Sequence, residues 1–148
     1  YRADASDDFA WGPPVSVGTD VNTAGFEAGA EFLSGTRGRQ ASLFFNRSPA
    51  GGTADIYVVP ATADGLAAGP AVLVSELSDP AATDQGMTLR GDGREAVFFS
   101  TRVGGLGGND LWTSTRRRVS EPWSIPVSLG VPMNTAARLK TAQGFFVN

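Results

Sequence analysis

Trp11-Gly12-Pro13-Pro14-Val15-Ser16-Val17-Gly18 returns 112 residues later as Trp123-Ser124-Ile125-Pro126-Val127-Ser128-Leu129-Gly130, and Asn22-Thr23 returns as Asn134-Thr135 at the same offset. Two periods of 56 make that offset, so another copy must lie between. It shows as Phe44-Phe45-Asn46-Arg47 against Phe98-Phe99-Ser100-Thr101-Arg102 and as Asp55-Ile56-Tyr57 against Asp110-Leu111-Trp112, at offsets of 54 to 55. Tyr1 stands 56 before Tyr57 and Pro14 stands 56 before Pro70, so residues 1–18 read as the second half of a repeat. A fixed period of this length marks an architecture of stacked supersecondary units, none of which buries its apolar face alone.

Within the first full copy the chemistry alternates between strand and turn. Residues 27–33 alternate small and apolar side chains and end at Ser34-Gly35-Thr36-Arg37-Gly38, a Gly-rich stretch suited to a hairpin. Residues 41–46 follow, with Leu43-Phe44-Phe45 as a continuous apolar run of the kind that serves a strand buried on both faces. Pro49-Ala50-Gly51-Gly52 then leads to a third strand at 55–59, and Asp64-Gly65 to a fourth at 70–74. Pro70 at the head of that last strand fits an edge position, where a missing N–H costs little. The second copy repeats the plan with strands at 85–90, 95–100, 110–114 and 125–129, and Gly91-Asp92-Gly93 as its first turn. No stretch carries a long helical period.

Composition agrees with many short strands in one unit. The 148 residues suffice for one domain and hold 19 Gly and 9 Pro, with 41% apolar and 18% charged side chains. A net charge of −3 and a pI near 4.8 argue against nucleic acid and anionic lipid as partners, and Arg116-Arg117-Arg118 is too short a basic run to reverse this. Without Cys there is no thiolate nucleophile, disulfide or Cys-ligated metal, and without His the usual general base near neutral pH is missing. Ser-His-Asp chemistry cannot be assembled from this chain alone. No apolar stretch approaches the roughly 20 residues that span a bilayer, so membrane insertion is not expected.

Four short antiparallel strands recurring at about 55 residues predict an all-β chain, and specifically a β-propeller of four-stranded blades in which each sheet buries its faces on its neighbours. A β-sandwich is the alternative, but sandwiches need no fixed internal period. The expected division is residues 1–18 as the second half of a blade, 19–75 and 76–130 as blades, and 131–148 as the first part of a blade. That makes about three blade-equivalents, too few for a closed ring of four to eight. Closure would need a second copy, three plus three, or further sequence. Phe145-Phe146-Val147 reads either as a second strand after a shortened hairpin or as a continuation of the first.

These residues resemble the WD40-like propeller repeat family called PD40, best known from TolB and many extracytoplasmic proteins. The resemblance rests on Asn22-Thr23, Glu27, the Gly35 to Gly38 turn, the strand ending at Arg47, Gly51-Gly52 and Asp55-Ile56-Tyr57. It is closer in the second copy, through Gly91-Asp92-Gly93, the strand ending at Arg102, and Gly104-Gly105-Leu106-Gly107-Gly108-Asn109-Asp110-Leu111-Trp112. The first copy departs from the pattern in having Thr36-Arg37 where the turn would carry Asp. The resemblance implies a periplasmic or secreted scaffold whose loops and channel mouth bind a protein or cell-envelope component.

Several residue pairs recur with the repeat and carry candidate chemistry. Glu27 and Asp84 head the innermost strands, where paired carboxylates would serve glycoside hydrolysis or hold a cation. The architectural alternative has each accept backbone N–H groups of the neighbouring blade, and recurrence favours it. Arg47 with Asp55 and Arg102 with Asp110 flank the Gly-rich loops, either as anion-binding arginines or as ion pairs that pin the loop to the third strand. The loop that ends in Asn109 and Asp110 lacks the Lys-Ser/Thr and helix of a phosphate loop and offers few oxygens for calcium, so it reads as a tight hairpin connection. Trp112, Trp11 and Trp123 would stack on ligand rings or fill inter-blade contacts. No cofactor and no metal are expected. The expected function is a non-catalytic binding module, with a carbohydrate-active propeller or a self-associating ring fragment as alternatives.

Overall fold

The computed structural model describes Ser6, residues 10–36 and residues 38–136. Tyr1, Arg37 and Phe145-Phe146-Val147 lie outside the described residues, as does any pairing between the two ends of the chain. Eight strands follow in order: β1 (Phe26–Leu33), β2 (Ala41–Ser48), β3 (Asp55–Ala61), β4 (Val72–Leu73), β5 (Asp84–Leu89), β6 (Glu95–Ser100), β7 (Asp110–Thr115) and β8 (Val127–Ser128). They form two four-stranded antiparallel sheets, β1-β2-β3-β4 and β5-β6-β7-β8, each a simple meander. Among the described residues there is no helix, and the chain is all-β.

The outer strands are shorter than expected, two residues each in place of 70–74 and 125–129. Pro70 and Pro126 cannot donate to a ladder, so pairing starts only beyond them. One more bond extends each edge, Val74 N–H to the Ile56 carbonyl at 2.8 Å and Leu129 N–H to the Leu111 carbonyl at 3.0 Å.

The apolar run in β2 divides between two faces. Phe44 joins Leu33, Ile56, Val74 and Leu77 in a core shared with Met87, Leu89, Ala96, Phe98, Trp112 and Trp123 of the second sheet, while Leu43 and Phe45 point the other way and cluster with Val21, Val59 and Ala61. Phe98 and Leu77 are fully buried, each contributing about 1.5–3 kcal/mol. The shared core is what joins the sheets. Because Arg47 faces Asp55 and Ser100 faces Asp110 in their ladders, Phe45 and Phe98 hold equivalent positions, as do Tyr57 and Trp112. The Phe45 face of the first sheet thus corresponds to the Phe98 face of the second, the one turned toward the first sheet. Val17 and Val21 line the Phe45 face as Val74 and Leu77 line the Phe98 face.

A bulge in each innermost strand sets the approach of β1 and β5. The ladder slips between Ala28 and Glu31 and again between Gln85 and Thr88, and the residues at the slips, Gly29 and Gly86, have φ of +62° and +61°. A side chain there would be strained, and at Gly86 it would enter the Phe99 ring. The seam is stitched by Glu31 Oε1 accepting the Leu89 N–H at 3.0 Å and by Asn46 Oδ1 accepting the Gly86 N–H at 3.4 Å.

Candidate functional site

The carboxylates at the heads of β1 and β5 meet the arginines at the ends of β2 and β6. Glu27 accepts Arg47 Nε at 3.2 Å and the Thr23 hydroxyl, and Arg47 Nη2 also donates to the carbonyls of Asp20 and Val21 at 2.8 and 3.0 Å. Asp84 accepts Arg102 Nη2 at 2.6 Å and the Asp79 N–H at 2.7 Å, and the same Nη2 donates to the Leu77 carbonyl at 2.6 Å. Each guanidinium lies over two rings, Phe45 and Tyr57 in one sheet, Phe98 and Trp112 in the other, at 4.9 to 5.4 Å. Arg47 stands in its ladder, whereas Arg102 sits two residues past Ser100 and bends back with its Nε on Ser100 Oγ at 2.8 Å. The heads still occupy equivalent places. The neighbouring sheet supplies none of these bonds: each carboxylate is held by an arginine at the end of the next strand of its own sheet, together with the Thr23 hydroxyl for Glu27 and the Asp79 N–H for Asp84.

That arrangement also corrects the expected pairing of Arg47 with Asp55 and Arg102 with Asp110. Antiparallel register places Arg47 between Glu27 and Asp55, and the guanidinium turns to Glu27, where the Asp20 and Val21 carbonyls supply further acceptors. Asp110 is drawn instead into the Gly-rich loop, where its buried carboxylate accepts the N–H groups of Leu106 and Gly107, the latter at 2.9 Å. Half-buried Asn109 precedes it in the same loop. Burial and the like charges of Asp84 and Asp79 push the Asp55 carboxyl above the ordinary aspartate range. The Thr23 hydroxyl, followed by the Thr23 N–H and Arg47, holds Glu27 below its ordinary value against the opposing effect of burial.

A second recurring device lies beyond each outer strand. Asn134, with 0% exposure, accepts the Leu111 N–H at 2.7 Å and donates Nδ2 to the Leu111 carbonyl at 2.9 Å and to Ser128 Oγ at 3.0 Å. Ser78 serves Ile56 in the same way, accepting its N–H at 3.0 Å. Asn22 repeats the local turn, its N–H on the Gly18 carbonyl at 2.9 Å and its Nδ2 on Ser16 Oγ at 2.9 Å, yet it is exposed. The Asn-Thr recurrence was visible in the sequence, but its clamping of the third strand was not, because that strand lies 23 residues away.

The tryptophans separate. Trp123 is 7% exposed within the shared core, under the Arg116 guanidinium at 4.0 Å, whereas Trp11 is 66% exposed. The expected equivalence holds for their sequence and fails for their burial. Trp112 is buried in the shared core, and its Nε1 has no hydrogen-bond partner. At the end of the sheets that carries Glu27 and Asp84, Val103 is 99% exposed, and Phe26 at the head of β1 and Leu106 in the Gly-rich loop are exposed as well. Among the described residues no three acidic side chains gather where a metal ion would sit. No protein-family model matches this chain, and comparison with curated proteins and with solved structures returns no match.

Proposed function

We propose that this chain is a non-catalytic binding module built from β-propeller blades, which presents its loops and a channel mouth to a protein or cell-envelope ligand in an extracytoplasmic setting. One observation carries the non-catalytic reading: both inner-strand carboxylates are engaged by arginines that are themselves stacked on aromatic rings. A general acid or nucleophile needs a carboxyl open to substrate. The blade reading draws support from the way the sheets meet. They stack with the Phe44 face of one on the Phe98 face of the next, an order that can be repeated indefinitely, rather than pairing like faces. The exposed Val103 and Leu106 are the natural contact points for a partner.

The module reading is tested with Val103→Asp and Leu106→Asp. Both should leave the folded spectrum and midpoint unchanged while abolishing capture of a ligand from envelope extract. Hydrolysis of a polysaccharide that disappears in both Glu27→Gln and Asp84→Asn, each still folded at the assay temperature, would instead establish the carbohydrate-active alternative. Self-association is a second reading, supported by Asn22, whose exposed amide repeats the clamp that closes on Leu111 and Ile56. In that reading two chains complete a six-bladed ring. Light scattering should then give about twice 15.4 kDa, and a stable 15.4 kDa monomer would end it.

A further inference from the structure

Arg116-Arg117-Arg118 is the one run of adjacent basic residues in the sequence, and it lies in the connection between β7 and β8, at the end of the sheets opposite Glu27 and Asp84. Its first member is tied down. The Arg116 N–H donates to the Arg94 carbonyl at 2.9 Å, its Nε donates to the Gly93 carbonyl at 2.8 Å, and its guanidinium lies 4.0 Å over the Trp123 ring. The next two stand in solvent: Arg117 and Arg118 are exposed, and the Arg118 side chain keeps 75% of its surface, with Glu121 3.9 Å away. The other arginines of this end are each flanked by non-basic residues, and acids hold two of them, Asp92 and Glu95 on Arg90 and Asp92 on Arg94.

The connection can open without the sheet. Its base is closed by the Arg116 N–H on Arg94 and by the Ser124 N–H on the Thr115 carbonyl at 2.8 Å. Inside that base, the Glu121 N–H on the Arg118 carbonyl at 3.0 Å and the half-buried Val119 side chain, packed on the shared core, are what hold the turn. Releasing one bond and one valine lets residues 117–122 extend, and local opening of this kind is what delivers a bond to a protease. The chain on either side of Arg118–Val119 stays joined by contacts outside the connection. Trp112 pairs with Ser128 and Thr113 with Val127, the Leu129 N–H reaches the Leu111 carbonyl at 3.0 Å, and Asn134 clamps the Leu111 N–H and carbonyl at 2.7 and 2.9 Å. Trp123 is anchored in the shared core on the far side of the same bond.

We propose that the Arg118–Val119 bond is a processing site for a protease that reads paired basic residues, and that the cut chain persists as one folded body of two pieces. Hydrolysis adds one water across that amide, leaving a carboxylate on Arg118 and an ammonium group on Val119. Arg117 and Arg118 supply the two adjacent guanidinium groups that such an enzyme binds, and both are already in solvent before the turn opens.

The test is brief digestion of the full chain in native buffer, once with trypsin and once with a kexin-type protease, with fragments identified by mass and the product passed over a sizing column with and without urea. Among bonds within residues 38–136, trypsin should cut first in this connection, and the kexin-type enzyme should cut there alone. The cut product should elute with the intact chain in native buffer, separate in urea, and melt at a lower midpoint that rises with protein concentration. Arg117→Gln combined with Arg118→Gln should leave the connection intact to the kexin-type enzyme, while Arg94→Gln should be cut at the native rate. A first tryptic cut elsewhere within 38–136, a native chain that resists the kexin-type enzyme, pieces that part in native buffer, or undiminished cutting of the double variant would overturn the proposal. None of these outcomes depends on what the carboxylate end binds.

Discussion

Replacing Asp84 by Asn isolates the cost of the ion pair that holds β5 to the turn before it. The Asp84 side chain is wholly buried and that of Arg102 is 10% exposed, so the substitution strands a cation between Phe98 and Trp112. Breaking a buried pair from one side costs about 3–5 kcal/mol. An Asn oxygen can still accept the Asp79 N–H, now 2.7 Å from Asp84 Oδ2, which returns about 1 kcal/mol. The net loss is therefore about 3 kcal/mol, or roughly 6–12 °C in midpoint for a chain of this size. Glu27→Gln breaks the equivalent pair with side chains 12% and 19% exposed, and better solvation should limit its loss to about 1 kcal/mol. Urea denaturation reads both as a shift in midpoint at constant slope. Combining Asp84→Asn with Arg102→Met removes the stranded charge and should recover at least half of the loss. If the double variant is no better than Asp84→Asn alone, or if the two single variants cost the same, the asymmetry argued from burial is wrong.

Asn134→Ala should cost about 3 kcal/mol by leaving the Leu111 N–H and carbonyl unpaired in the interior, while Asn22→Ala, at an exposed copy of the same turn, should cost under about 0.5 kcal/mol in dilute monomer. Chemical denaturation of both compares them directly. Asp55 binds its proton more tightly in the folded chain, so its contribution is favourable below 3.8 and is lost as pH rises through the raised folded value. Asp55→Asn should therefore melt higher than the native chain at pH 7, with the gap closing on acidification; a lower melting point at pH 7 would contradict this. Gly86→Ala places a methyl in the Phe99 ring at φ +61° and should cost about 3 kcal/mol or more, seen as a lowered melting midpoint.

How much was legible follows from how local each signal is. The strands were readable because period-two alternation, Gly-rich turns and a repeated spacing are properties of adjacent residues, and β2, β3, β6 and β7 stand close to their expected limits. The β4 and β8 edges were overdrawn, since sequence shows an apolar run but not which prolines withhold the ladder bond. Glu27, Asp84, Arg47 and Arg102 were singled out correctly as recurring groups, but their partners were not. Antiparallel register gives Arg47 two acidic neighbours, Glu27 and Asp55, and the choice between them depends on which side offers further acceptors. Arg102 reaches the place of Arg47 from a different ladder position, which no alignment of letters displays.

By itself, the sequence determined an all-β chain organised in repeats, because short-range alternation and turn chemistry dictate strands wherever they occur. The tertiary structure alone decided that Trp123 is buried and Trp11 is not, and that Asn134 clamps a third strand while Asn22 stands open. Identical local motifs acquire different environments when one copy has a sheet stacked on it and another does not, and burial is a property of that stacking rather than of the motif.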